Sequence, residues 1–340
     1  MIKVKSALII GFGRMGQVYF NILKNMGVKN IEVIEKNNKN IKIALLKYNI
    51  KKDKTFKSLN KLHLKQTYDV IVLSATSDAK FLNFKRIASK KTKYFFFEKP
   101  LCSSIYECDQ INKIAKKYKI KIGVNHQSRF TNEINEIYKL VKKFRAGDLK
   151  SISLLAGNIG IAMNGVHVIE LFNYLTKSEI NRVNANFEKK YTSNPRGKKF
   201  KDFAGQIICK NNKNNVLTIN TSNDYYHGFN LIFTFKYGFI FLDYLNGNLY
   251  FNFRKKKYFN KKSNFYGLPS VVKKQKVKIS SIEDGTKINL ANFLKNKKIS
   301  NQNDGMSAIK VLSAASISSK NKSKEIFLKN LETKKIFKWA

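Results

Sequence analysis

Residues 7–18 read Ala7-Leu8-Ile9-Ile10-Gly11-Phe12-Gly13-Arg14-Met15-Gly16-Gln17-Val18, an apolar run, a GxGxxG and the start of an amphipathic stretch. Each glycine has its own task in a strand–turn–helix unit. Gly11 permits the tight turn, Gly13 lets the backbone come close to a pyrophosphate, and Gly16 lets the helix pack on the strand. The helix that opens there offers free first-turn amides to phosphates, so Phe12, Arg14 and Met15 join the glycines as candidate cofactor contacts. The pattern is weak alone. Here it follows a strand, opens a helix and is succeeded by Glu35, 19 residues after Gly16, at the end of a second apolar run. A carboxylate there accepts hydrogen bonds from an adenosine ribose and repels a 2′-phosphate, which favours NAD; Lys29 and Lys36 could screen the repulsion and leave NADP open.

Outward from this unit, short apolar runs alternate with helix-length stretches up to residue 124. Strands are expected at Val4–Ile10, Ile31–Glu35, faintly near Thr55–Lys57, then at Asp69–Ala75, Tyr94–Phe97 and Ile120–Val124. Helices are expected over Met15–Met26, Ile41–Tyr48, Ala79–Ser89 and Ser104–Tyr118. Strands that are apolar along their whole length and separated by helices predict a parallel sheet covered on both faces. After the fourth strand, Ser74-Ala75-Thr76 offers small residues, with Ala75 and Thr76 where a dinucleotide would cross the sheet edge; Asp78 reads equally well as the N-cap of the next helix.

From Asn125 the grammar changes. Helices are expected over Asn132–Phe144 and from about Gly165, and then β-type alternation dominates at Phe229–Phe235, Phe239–Tyr244 and Leu249–Phe253. Gly238 and Asn246-Gly247 mark hairpins between them. Helix returns over Ile288–Leu294 and Gly305–Ser319, where Asp304 reads as an N-cap. The fold class is α/β: a doubly wound parallel domain over 1–124, an α+β domain with a mostly antiparallel open sheet over 125–330, and a basic tail over 331–340.

The 340 residues carry 66 Lys and Arg against 22 Asp and Glu, a net charge of +44, in short Lys clusters along the whole length. A hydrophobic fraction of 43% builds a core and excludes intrinsic disorder. Without a basic stripe, a specific nucleic-acid partner is not expected. Three cysteines without CxxC spacing and four scattered histidines suggest neither a disulfide framework nor a metal site. The apolar run Ala7–Ile10 is too short for a signal peptide or a membrane span, so a cytoplasmic location is expected.

The residues for chemistry come next. In Phe97-Glu98-Lys99-Pro100, the proline takes Lys99 out of the helical region and presents its ammonium at the carboxyl end of a strand, where ligands of such sheets bind. In order, GFGRMG (11–16), FEKP (97–100), GVNHQSRF (123–130), NGVHVIELFNYL (164–175) and DGMSAIKVLSAASISS (304–319) resemble the Gfo/Idh/MocA family of NAD(P)-dependent oxidoreductases over nearly the whole chain. The resemblance implies an N-terminal Rossmann domain, with Glu98 and Lys99 beside the cofactor, and a second domain whose open sheet is both substrate wall and subunit face. It implies a sugar, polyol or nucleotide sugar as substrate and a homodimer or homotetramer, and the stretch Asn158–His167 resembles a branch with an N-x-x-H helix start associated with surface-glycan biosynthesis. It also implies that Lys99 positions the reacting hydroxyl or carbonyl, that His167 is the general acid/base, and that Asn125 and Arg129 lie beside the substrate, Arg129 as an anchor.

His167 has partial support of its own, since it falls in the first turn of an expected helix, where the dipole disfavours an imidazolium. The chain departs from the family pattern at Met163, where many relatives carry Asp. Asn164 could hydrogen-bond the ring or the substrate but is uncharged, and Glu170 replaces a family Asp. The missing carboxylate motivates an alternative: a non-catalytic sensor of dinucleotide or sugar nucleotide on a dehydrogenase scaffold. Among the other histidines, His126 lies beside Asn125, His227 follows Tyr225-Tyr226 at a turn, and His63 is expected on the surface.

Overall fold

The structure is a computed structural model that describes residues 4–89, 91–262, 268–331 and 334–339, without the side chains of Lys61 and Leu62. The chain divides into two compact units, Met1–Gln127 with Ile282–Ile309 and Glu332–Ala340, and Ser128–Ser281 with Lys310–Leu331.

The first unit opens with β1 (Ser6–Ile10), α1 (Arg14–Asn25), β2 (Asn30–Ile34), α2 (Asn38–Leu46), β3 (Thr55–Phe56) and α3 (Lys61–Lys65). It continues with β4 (Val70–Leu73), α4 (Ser77–Ile87), β5 (Tyr94–Phe97), α5 (Ile105–Tyr118) and β6 (Lys121–Val124). The strands form a parallel sheet in the order β3-β2-β1-β4-β5-β6. β5 shows why the sheet is covered on both sides. Phe95 and Phe97 meet Phe84 of α4 edge-on, at 5.0 and 5.4 Å, while Phe96 turns the other way onto Tyr19 of α1 at 5.8 Å. Successive strand side chains alternate faces, so three consecutive buried phenylalanines need a helix on each. Each such burial stabilises the sheet by about 1.5–3 kcal/mol.

The second unit contains α6 (Asn132–Phe144), β7 (Leu149–Ala156), α7 (Val166–Thr176), β8 (Ile180–Phe187), β9 (Gly205–Asn211) and β10 (Val216–Thr221). Three hairpin-linked strands follow, β11 (Asn230–Phe235), β12 (Gly238–Asp243) and β13 (Asn248–Arg254), then β14 (Ser270–Lys276). The sheet order is β14-β13-β12-β11-β7-β10-β9-β8-β15, the last being Ile326–Phe327, and among the described residues only β7 and β10 pair in parallel. Ile152, Leu154, Leu217, Phe233 and Leu242 are buried on one face. On the other, register sets Tyr250, Phe241, Ile232 and Ser153 in one row across β13, β12, β11 and β7. Tyr250, Ile232, Phe239 and Leu155 of that face are exposed.

After β14 come α8 (Ile282–Leu294), α9 (Gln302–Lys320) and β15 (Ile326–Phe327). By this division α8 and the start of α9 belong to the first unit, as does 334–339, whereas the sequence reading sets 125–330 and 331–340 apart from it. The lysines at 334, 335 and 338 suggest a solvated tail, yet Trp339 is 1% exposed and stacks on Phe337 at 4.4 Å. His63 is likewise corrected: it is buried, edge-on to Phe56 at 4.5 Å. The three cysteines are free and buried.

Candidate active site

Strand order reverses between β1 and β4, and the turns that leave these strands lie at that switch point. Gly11 sits at φ +97°, and Ser74 fastens the turn by donating its hydroxyl to the Gly11 carbonyl at 2.6 Å. A Cβ on Gly16 would stand 2.1 Å from that same carbonyl oxygen, so only glycine lets α1 approach β1 this closely. A Cβ on Gly13 would meet nothing within 4 Å, the open cradle that a pyrophosphate requires, and no side chain caps α1. The exposed Arg14 and half-buried Met15 begin α1 beside this space. Glu35 follows β2 and accepts from the amides of Phe12 at 2.7 Å and Asn37 at 2.8 Å. Phe12 therefore directs its amide to Glu35, and its ring is fully buried against Phe20 and Tyr48. The backbone of Ala75 lies against Gly11, and Thr76, rather than Asp78, is the N-cap of α4. These residues fit a dinucleotide: an open glycine turn, uncapped helix amides and a carboxylate at the end of β2.

One strand along, β5 ends in Glu98-Lys99-Pro100, with a cis bond between Lys99 and Pro100. Glu98 is buried, and its Oε1 accepts from the Tyr19 hydroxyl and from Asn125 Nδ2, each at 2.6 Å. Burial and the adjacent Glu98 carboxylate hold the Tyr19 phenol well above its ordinary pKa, which keeps it a donor. Asn125 also donates to Thr286 Oγ1 at 3.1 Å and accepts from Asn289 Nδ2 at 3.1 Å, both on α8. At 1% exposure Asn125 is a tie between β6, β5 and α8. Lys80 of α4 is buried and donates its ammonium to the carbonyls of Glu98 and Pro100, and so holds the turn that carries the half-buried Lys99. Sequence reasoning missed Lys80, although a lysine among the buried positions Ser77, Phe81, Phe84 and Ile87 of one helix face is a signal.

In the second unit a π-type turn, Ile161–Gly165, leads directly into α7. The amides of Ala162 and Met163 donate to the fully buried carboxylate of Asp202, at 2.8 Å each. The helical path thus starts before α7 and His167 stands beyond its first turn, which corrects the dipole argument. Position 163 lacks a carboxylate, but its backbone is met by one from Asp202, a residue with no local sequence signal. Asn164 directs its amide nitrogen to the Ile159 carbonyl, and His167 is half-buried. Arg129 is buried, donates from Nε to Glu170 Oε1 at 2.6 Å and lies 4.2 Å over the Tyr174 ring. Glu170 holds that guanidinium. His227 contacts the Gly228 carbonyl, and His126 is buried. Asn301, not Asp304, caps α9: its Oδ1 accepts from the amides of Asn303 and Asp304, while Asp304 accepts from the Asn301 amide.

The structure thus gathers Gly11, Phe12, Gly13, Gly16, Glu35 and Ala75 at one turn, Glu98 with Asn125, and Arg129 with Glu170. Lys99 belongs to the first unit and His167 to the second. Among the described residues, no group of three or more His, Cys, Asp or Glu is placed to hold a metal ion, and no helix is long and apolar enough to cross a membrane.

An open glycine turn at the switch point of a 3-2-1-4-5-6 sheet is the arrangement of a dinucleotide-binding domain. Residues 5–126 match the family model of the Gfo/Idh/MocA oxidoreductases, an NAD-binding Rossmann fold. No functionally curated relative matches the sequence. Among solved structures, it is similar to UDP-N-acetylglucosamine 3-dehydrogenase GnnA from Acidithiobacillus ferrooxidans, with a TM-score of 0.74, 14% identity, and coverage of 95% of this chain and 100% of that one. An oxidoreductase from Agrobacterium radiobacter in complex with NAD+, L-tartaric acid and magnesium gives 0.76 at 12% identity, covering 96% and 99%. A super-repressor mutant of Gal80p from Saccharomyces cerevisiae gives 0.72 at 13%, covering 96% and 98%. At these identities the likeness is one of fold.

Proposed function

We propose that the protein is an NAD-dependent dehydrogenase or reductase acting on a CH–OH group of a sugar, polyol or nucleotide sugar, with NADP as the alternative cofactor. The observation that carries this reading is the pinned turn at the end of β5, where Lys80 and the Tyr19–Glu98–Asn125 network fix the backbone on either side of Lys99. Among its structural neighbours, a UDP-N-acetylglucosamine 3-dehydrogenase supports the nucleotide-sugar class.

The amides that open α1 hold the pyrophosphate and Glu35 accepts from the ribose hydroxyls. When bound, NAD supplies a nicotinamide that takes up or gives a hydride at the substrate carbon. The Lys99 ammonium donates a hydrogen bond to the oxygen on that carbon and stabilises the charge that develops there. His167 removes the hydroxyl proton in oxidation and returns it in reduction, a step worth about 10²–10⁴ in rate. Asn164 and Arg129 line the substrate side, Arg129 through its Glu170-bound guanidinium. The exposed row of Tyr250, Ile232 and their neighbours on the open sheet is the subunit face of a homodimer or homotetramer.

A panel of nucleotide sugars and polyols, followed through nicotinamide absorbance, tests the class. Lys99→Ala and His167→Ala should each lower kcat by about 10²–10⁴ while NADH binding is retained. Wild-type turnover in both variants would remove the catalytic assignment. Nucleotide binding without turnover on the whole panel would replace the enzyme by a sensor.

A further inference from the structure

The segment 334–339 docks on two turns that the proposed reaction uses. The Ser77 hydroxyl, at the start of α4, donates to the Trp339 carbonyl. The Phe337 amide donates to the Ser103 carbonyl at 2.9 Å, and Trp339 Nε1 donates to the Cys102 carbonyl at 3.1 Å. Ser103 Oγ in turn reaches Ser77 Oγ at 3.3 Å. Ser77 directly follows Ala75-Thr76 at the end of β4, and Cys102-Ser103 closely follows Lys99-Pro100 at the end of β5. Trp339, one of the largest fully buried side chains, therefore bridges two neighbouring turns at the carboxyl ends of adjacent strands. Lys80, one turn along α4 from Ser77, makes a second bridge between the same turns through the Glu98 and Pro100 carbonyls.

A turn at the carboxyl end of a parallel strand has no ladder of its own to fix it, and its position must come from such bridges. We propose that Trp339 is a positioning residue for the dinucleotide site: by tying the Thr76–Ser77 turn to the Lys99–Ser103 turn, it couples the docking of segment 334–339 to the binding of NAD(H). The coupling rests on the nucleotide reading of the first unit and is independent of which substrate is reduced or oxidised. Linkage makes it reciprocal, so the nucleotide must tighten the segment by as much as the docked segment tightens nucleotide binding.

Two measurements test this. In the wild-type protein, saturating NAD+ should slow hydrogen exchange at the Phe337 and Trp339 amides several-fold; unchanged exchange overturns the proposal. Trp339→Ala should raise the Kd for NADH, followed by the emission of the nucleotide itself, about tenfold, a difference of about 1.4 kcal/mol. Trp339→Phe keeps a ring but loses the Nε1 donor and should raise it about threefold. Trp339 is the only tryptophan in the chain, so its emission in the wild-type protein also reports whether the segment is docked. Variants that melt at a lower temperature but bind NADH with wild-type affinity would leave the segment a purely structural strap, and the proposal would fall. A wild-type protein that binds neither NADH nor NADPH would instead break the nucleotide reading itself.

Discussion

Two buried carboxylates, Glu98 in the first unit and Glu170 in the second, are held in different ways. In the first unit the strands are buried along their length, so polar groups collect at the carboxyl ends, and the buried Glu98 there is held by neutral donors from Tyr19 and Asn125. In the second unit one sheet face is open, and the buried Glu170 on α7 is held by the guanidinium of Arg129, which also lies on Tyr174. A carboxylate with neutral donors can lose its charge and keep its bonds. A buried ion pair cannot lose one member without stranding the other.

The largest expected effect follows from that contrast. Glu170→Ala leaves the Arg129 guanidinium buried and should cost about 3–5 kcal/mol of stability, read as a fall in the midpoint of urea unfolding. Glu98→Gln keeps an acceptor oxygen for Tyr19 and Asn125 and should cost about 0.5–1.5 kcal/mol. Equal losses would mean that the distinction between the two carboxylates is false.

The open face of the second sheet gives the next test, on assembly instead of folding. Phe241 pairs with Tyr250 and Ile232 in one row, and its ring stacks on Tyr250 at 5.8 Å. In a two-fold interface a substitution acts twice, once from each subunit. Phe241→Lys should therefore weaken association about 100-fold or more, about 2.7 kcal/mol, in sedimentation experiments, with NADH affinity unchanged. A wild-type protein that sediments as a monomer at micromolar concentration, or a variant that stays assembled, would place the subunit contact elsewhere or nowhere.

The same contrast explains what could be read from the residues alone. The β1–α1 turn, β5 and the Lys99-Pro100 turn are written locally: a glycine with positive φ, three consecutive phenylalanines, a proline after a lysine. The supports are written at a distance. Thr286 and Asn289 reach Asn125 from a helix late in the chain, Asp202 reaches the amides before α7, and Trp339 returns past lysines that suggest a tail. Lys80 is hidden by the abundance of its own residue type. In the second sheet, β8 and β14 escape notice because their free faces carry Asn, Arg and Lys. Lysines on the edge strand β14 block further pairing and resemble a solvated run.

The smallest effect concerns the β2 side of the first sheet, where an acidic group and a histidine are buried together. The His63 ring accepts at Nδ1 from the Asn60 amide at 3.2 Å, which requires the neutral form, and its Nε2 lies 4.0 Å from Glu32. Burial pushes the His63 pKa below 6.5, and the Glu32 carboxylate opposes the shift. Burial pushes Glu32 up, but bonds from Tyr68, Lys54 and Gln66 outweigh it and hold the carboxylate below its ordinary 4.5. Both groups bind protons more readily in the unfolded chain, so stability falls with pH in two stages. The histidine contribution is fully present above 6.5 and is lost as pH falls toward the depressed native value; the Glu32 contribution persists to about 4.5 and is lost below it. His63→Gln should flatten the first stage and leave the second, in thermal melts between about pH 7.5 and 4. If the variant keeps the wild-type slope below pH 6.5, this cluster is not where the first sheet senses acid.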